Sequence, residues 1–122
     1  MAAKPVILLV DDDPIGIQTR TAVLERNGYR VLVASSATEG LRVFGERQVD
    51  LVMSDHFLRD KRGTALAAEL KRLKPNVPVV IFSGAAEVPE GVENADMFVT
   101  KLETIPVMLE DIAKLLRRQR RP

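Results

Sequence analysis

Five short apolar runs, each ending at a polar residue and each separated from the next by a segment of different periodicity, constrain this chain more than any other feature. The runs are Val6–Val10, Arg30–Ala34, Val49–Asp55, Val77–Phe82 and Met97–Thr100. Runs of this length, apolar at successive positions, predict strands buried on both faces rather than amphipathic edges. The intervening segments read as helices. Asp13 and Pro14 supply an N-cap and a first helical residue, Ile17, Thr21 and Leu24 form an inner stripe, and Asn27-Gly28 stops the helix near Arg26. Ser36-Ala37-Thr38-Glu39 has the form of a capping box, opening a helix with Ala37, Leu41 and Phe44 inward. Thr64 is the expected cap of a third helix carrying Leu66, Leu70 and Leu73, which Lys74-Pro75-Asn76 ends. A last helix is predicted from near Thr104–Pro106, with Leu109, Ile112, Ala113 and Leu116 inward. The segment 85–94 holds Pro89 and Gly91, which leave room for a turn or so of helix. Strand and helix alternate throughout, so the fold class is α/β: a doubly wound parallel sheet with helices on both faces.

Composition narrows the chemistry. At 122 residues the chain is expected to form one domain spanning 1–122. Cysteine is absent, which excludes disulfides, thiolate nucleophiles and zinc–thiolate sites. No apolar stretch approaches 18 residues and no signal-peptide pattern opens the chain; a cytoplasmic location is expected. The net charge is only +1, but arginines at 117, 118, 120 and 121 make a basic tail over about 117–122. Without aromatic or base-reading residues beside it, that tail reads as a solvated helix end, and nucleic acid is not an expected partner.

The chemistry-bearing residues sit where the strands stop. In an open parallel sheet, ligands collect beyond the carboxyl ends of the strands. Those ends carry Asp11 and Asp12, then Asp55, then Ser83, then Lys101. Carboxylates crowded on one rim repel, and a hard divalent cation with oxygen ligands relieves them; Mg²⁺ suits that donor set. A lysine supplies a compact charge and a serine a hydrogen bond for a phosphate. Together they form a site for phosphoryl transfer to aspartate, where catalysis is positioning and charge neutralisation. Asp13 is assigned to the helix cap. His56, the one histidine, is expected to be a loop or surface residue, neither ligand nor base.

Four segments carry a family resemblance. They are Ile7-Leu8-Leu9-Val10-Asp11-Asp12-Asp13-Pro14; Asp50 to Asp55 with Gly63 eight residues after Asp55; Val79 to Gly84; and Ala95 to Lys101. In this order and spacing the sequence resembles the receiver domain of two-component response regulators, over nearly the whole chain. The resemblance implies a flavodoxin-like five-stranded sheet of order 2-1-3-4-5. It implies that Asp55 accepts phosphate from a phosphohistidine on a sensor histidine kinase or phosphotransfer protein. Asp11, Asp12, Asp55 and the backbone carbonyl of Phe57 would hold Mg²⁺. Ser83 and Lys101 would bind phosphate, and Ser83 and Phe98 would act as the switch. Such a protein is a phosphoacceptor with at most self-catalysed transfer and autodephosphorylation, not a conventional enzyme. It would signal to a downstream effector as a monomer or weak homodimer.

Three departures accompany the match. Arg59 stands where relatives usually carry proline, four residues after the aspartate. Leu102 replaces the cis proline after Lys101, and a non-proline cis bond costs about 2.5–4 kcal/mol, so a trans bond and a different aim for Lys101 are favoured. The fourth helix of the family is shortened, by about one helical turn. These departures motivate the alternative of a receiver-like binding module that acts through a fixed surface with little phosphorylation. Val10-Asp11-Asp12-Asp13 also contains an Asp-x-Asp after a strand, as in haloacid-dehalogenase-like phosphatases, but that assignment leaves Asp55 without a role.

Overall fold

The computed structural model describes residues 3–84, 88–100 and 105–119. Its elements alternate as β1 (Val6–Val10), α1 (Pro14–Arg26), β2 (Arg30–Ala34), α2 (Ala37–Glu46), β3 (Leu51–Asp55), α3 (Gly63–Leu73), β4 (Val79–Ser83), β5 (Met97–Thr100) and α4 (Ile105–Gln119). All strand pairs are parallel and the sheet order is β2-β1-β3-β4-β5, as the resemblance implied. Between β4 and β5 the described residues contain a single 3-10 turn, Val92–Asn94, in keeping with the expected turn; residues 85–87 of that segment lie outside the described residues.

The period-two alternation of a strand assigns each side chain to one of two cores. Leu8 and Val10 of β1 pack with Phe44 of α2 and Leu66 and Leu70 of α3. Ile7 and Leu9 face the other way, with Leu24 of α1 and Met108 and Ile112 of α4. This division is why β1, β3 and β4 read as continuous apolar runs: both faces of the sheet are covered.

Helix ends follow the sequence with two adjustments. Asp13 caps α1 by accepting from the N–H groups of Ile15 and Gly16, and Gly28, at φ 91°, provides the left-handed turn after Asn27 that a side chain would strain. At α2, Ser36 accepts from Glu39 N–H as a capping box requires, but the Glu39 carboxylate accepts from Ser35 Oγ. Helix α3 begins two residues earlier than a Thr64 cap would place it. Arg62 holds the cap position without a side-chain bond, and Thr64 is buried in the first turn.

Strand entries are closed by carboxylates. Asp50, inside the run expected to be strand, instead precedes β3 and accepts from Val6 N–H at 2.7 Å. Asp96 does the same for Val79 N–H at 2.7 Å and pairs with Lys71 of α3 at 2.6 Å. Asp96→Ala would leave the Val79 N–H buried without its acceptor. We expect a loss of about 1–3 kcal/mol in urea unfolding, with Asp96→Asn losing less because an amide oxygen can still accept.

Candidate functional site

The strand ends form one rim because their registers align. Val10 pairs with Ser54, so the next residues, Asp11 and Asp55, lie beside each other across β1 and β3. Asp55 pairs with Phe82, and Ser83 with Thr100. Alternation puts Asp11, Asp55 and Phe82 on the same face as Leu9, Met53 and Val80, the face covered by α1 and α4.

Asp11 is fully buried, and its two oxygens receive different donors. Oδ1 accepts from Asp13 N–H at 3.0 Å, and Oδ2 pairs with Arg20 Nη1 at 3.0 Å. The Arg20 guanidinium also lies over the Phe82 ring, 4.2 Å from its centroid. Space for this pair depends on Gly16: a Cβ there would stand 2.7 Å from both Arg20 Nη1 and Asp11 Oδ2. Asp12 is half-buried and turns outward, where Oδ2 accepts from the backbone N–H of Arg59 at 3.0 Å.

Asp55 is 5 % exposed, and its Oδ1 accepts from Phe57 N–H at 3.1 Å. The loop after it doubles back tightly. Gly63 N–H donates to His56 O at 2.7 Å, and Phe57 and Arg62 form a bridge across the loop. A Cβ on Gly63 would lie 2.6 Å from the Asp55 carbonyl oxygen, a contact with backbone that no rotamer can relieve. The Asp55–Gly63 spacing therefore has a steric cause.

A second tether holds the same loop. Asp60 reaches α2 and accepts from Ala37 N–H, Thr38 N–H and Thr38 Oγ1, at 3.0, 3.0 and 2.8 Å. These bonds, led by that of the Thr38 amide, lower its pKa from 3.8 to about 2.

Ser83 is fully buried at the end of β4, and Phe98 is half-buried against the α2–α3 core. Lys101, Leu102 and the tail beyond 119 lie outside the described residues. His56 lies in the loop after β3 as expected, but not at the surface: it is 7 % exposed, its backbone N–H donates to Phe82 O, and its ring meets Phe57 edge-on. β3 ends at Asp55, but the His56 N–H makes the last bond of the Asp55–Phe82 pair, which holds this first loop residue against β4. Burial lowers its pKa, Arg62 lowers it further, and Asp55 opposes both.

Arg20, Gly16 and Asp60 did not figure in the sequence reasoning. Arg20 left one signal, a charged residue at the i+3 position of the inner stripe begun by Ile17. Asp60 left none, since its partners are 22 and 23 residues away.

Three carboxylates, with a backbone carbonyl at the exposed Phe57, are the hard oxygen donors that suit a divalent cation. Among the described residues, however, no three acidic or imidazole side chains form a ready cation cage. Asp11, Asp12 and Asp55 each already hold a protein donor, Asp11 that of the Arg20 guanidinium.

Comparisons with known proteins agree with this geometry. The family model described as response regulator receiver domain matches residues 7–117. The transcriptional regulatory protein GlrR of Escherichia coli K12 is 38% identical over 108 residues, 88% of this chain and 24% of that protein. ZraR of the same strain is 36% identical over 87 residues, 71% of this chain and 20% of that protein. The chain thus spans about a quarter or less of the length of these curated relatives. Among solved structures, a CheY-like receiver domain protein from Methanospirillum hungatei superposes with a TM-score of 0.88 at 30% identity, covering 95% of this chain and 96% of that one. The response regulator TrrA of Thermotoga maritima, solved in complex with Mg²⁺-BeF, gives 0.86 at 25% identity, covering 91% and 98%.

The Asp60 tether makes stability acid-sensitive. The folded pKa is depressed to about 2, so the carboxylate's contribution is fully present above the ordinary value of 3.8 and lost as pH falls through about 2. Unfolding midpoints measured from pH 5 to 2 should fall more steeply for the parent than for Asp60→Asn.

Proposed function

The chain belongs to the response regulator receiver domain family of two-component phosphorelay signalling, and from that premise we propose that Asp55 is its phosphoacceptor. The observation that carries the assignment is the position of Asp55: nearly buried at the end of β3, beside Asp11, on the same face of the sheet. The donor is a phosphohistidine of a sensor kinase or phosphotransfer protein. An Asp55 carboxylate oxygen forms the new bond to phosphorus while the phosphorus–nitrogen bond breaks. The imidazole leaves with its electron pair and takes up a proton, and Asp55 becomes an acyl phosphate.

Asp11, Asp12, Asp55 and the Phe57 carbonyl would hold Mg²⁺, which when bound supplies positive charge to the phosphoryl oxygens. The chain's own groups prepare the geometry. Phe57 N–H orients one Asp55 oxygen, and the Gly63 contact fixes the carbonyl side of the same residue. Ser83, buried at the adjacent strand end, would hydrogen-bond the phosphoryl group, with Lys101 as its counter-charge. Phe98 would carry the change from the rim towards the effector surface. The alternative of a fixed-surface module without phosphorylation is not favoured, because the acid set persists at the aligned strand ends of a family member.

Ile15, 74 % exposed directly after the acidic loop, gives the rim an apolar contact for the donor protein. Full burial of such a side chain is worth about 1.5–3 kcal/mol. Ile15→Ala should therefore slow transfer from a phosphorylated donor protein roughly tenfold while leaving labelling by acetyl phosphate unchanged. Equal slowing with both donors would move Ile15 from docking to chemistry.

The decisive measurement is intact-protein mass after incubation with acetyl phosphate and Mg²⁺. The parent should gain one phosphoryl group and Asp55→Asn none, with unchanged far-UV circular dichroism. Labelling retained in Asp55→Asn would refute the assignment.

A further inference from the structure

A carboxylate as deeply buried as Asp11 must find a counter-charge or lose its own. In this structure Arg20 of α1 provides it, Nη1 to Oδ2 at 3.0 Å. Three features hold the pair in place. The guanidinium rests on the Phe82 ring at 4.2 Å from its centroid. Gly16, one turn earlier on the same helix, leaves the space that any side chain would fill, with a Cβ only 2.7 Å from each partner atom. The other Asp11 oxygen is held by Asp13 N–H, so the carboxylate cannot turn freely away from Arg20.

A divalent cation on Asp11 would meet the guanidinium's positive charge at the same oxygen. Like charges at that range in a buried site repel strongly. Room to relieve the repulsion lies next to the pair. A cavity of about 380 Å³ between α1 and α4 is lined by Asp13, Thr19, Arg20, Phe82 and Thr100 among others. Arg20 and Phe82 both line it, and Asp13 places a second carboxylate at its wall.

We propose that Arg20 is a built-in counter-cation for Asp11 that competes with the divalent cation and keeps the rim neutralised when no metal is bound. This rests on the assignment of Asp11 as a cation ligand and extends it to a residue that sets how tightly the cation is held. Arg20 is a positioning residue in this role, because it touches the ligand and not the phosphoryl group. Arg59 adds to the same state at Asp12. Its backbone N–H donates to Oδ2, a bond that proline at this position could not make, whereas its side chain, 90 % exposed with Nε at 3.8 Å, contributes little.

The test is Mg²⁺ titration by calorimetry together with thermal melts, on the parent, Arg20→Met and Arg20→Lys. Arg20→Met should bind Mg²⁺ about tenfold tighter, melt lower than the parent without Mg²⁺, and gain more on its addition. Arg20→Lys, which restores a cation, should stay near the parent in both. If Arg20→Met folds only with Mg²⁺ present, the metal has replaced the arginine and the proposal stands. If it fails to fold even with Mg²⁺, the two cations are not interchangeable and the proposal falls. Unchanged or weaker Mg²⁺ binding by a folded Arg20→Met, with the parent binding normally, overturns the competition but leaves the phosphoacceptor assignment intact. Absence of Mg²⁺ binding in parent and variant alike removes both the cation site and the competitor.

Discussion

The burial of β1 on both faces sets the terms for the rim. A central strand covered by α1 and α4 on one side and by α2 and α3 on the other cannot end gradually into solvent. Its last apolar residue, Val10, is followed by a carboxylate that alternation directs under α1, into a place where bare charge is costly. The neighbouring strand does the same with Asp55. Two acids on adjacent strands and on one face form an arrangement whose energy depends on which cation is nearest. The surroundings of Asp11, from the missing side chain of Gly16 to the aromatic floor of Phe82, follow from that need.

The loop after Asp55 meets a different demand, since it must hold a nearly buried carboxylate still while leaving it approachable. Rigidity comes from backbone contact at Gly63 and from the side-chain tether of Asp60 to the start of α2. Arg59, directly before Asp60, donates its backbone N–H to Asp12. Substitution of a residue that relatives usually carry as proline thus exchanges a stiff φ for a hydrogen bond to a neighbouring acid.

Most of the fold was legible in the sequence because its signals are local. The bounds of β1, α1, β2 and β5 follow from patterned apolar residues ended by Asp, Asn-Gly, Ser-Ser and Thr-Lys in turn. The start of α3 did not. Thr64 has the right chemistry for a cap, but the helix is set two residues earlier by Gly63 pressed against the Asp55 carbonyl, which carries Thr64 inward. His56 misled in part: it is the loop residue that a polar residue after a strand end suggests, but its N–H completes the Asp55–Phe82 pair and its side chain is buried. Asp11, Asp55 and Ser83 were recoverable as strand-end residues. The partners that hold them in place were not, since Arg20 is visible only as a charge on an apolar stripe and Asp60 acts across more than twenty positions.

The Asp60 tether also separates two properties that are often linked in small domains. Its carboxylate is exposed, and its three bonds join a surface loop to the first turn of an outer helix without entering either core. The loop after Asp55 is thus tethered from outside the packed interior. Substitutions at this one solvent-facing position can loosen or tighten the loop with every core side chain left in its rotamer. Descendants of this chain therefore have a route to retune the loop beside Asp55 that does not pass through repacking the protein.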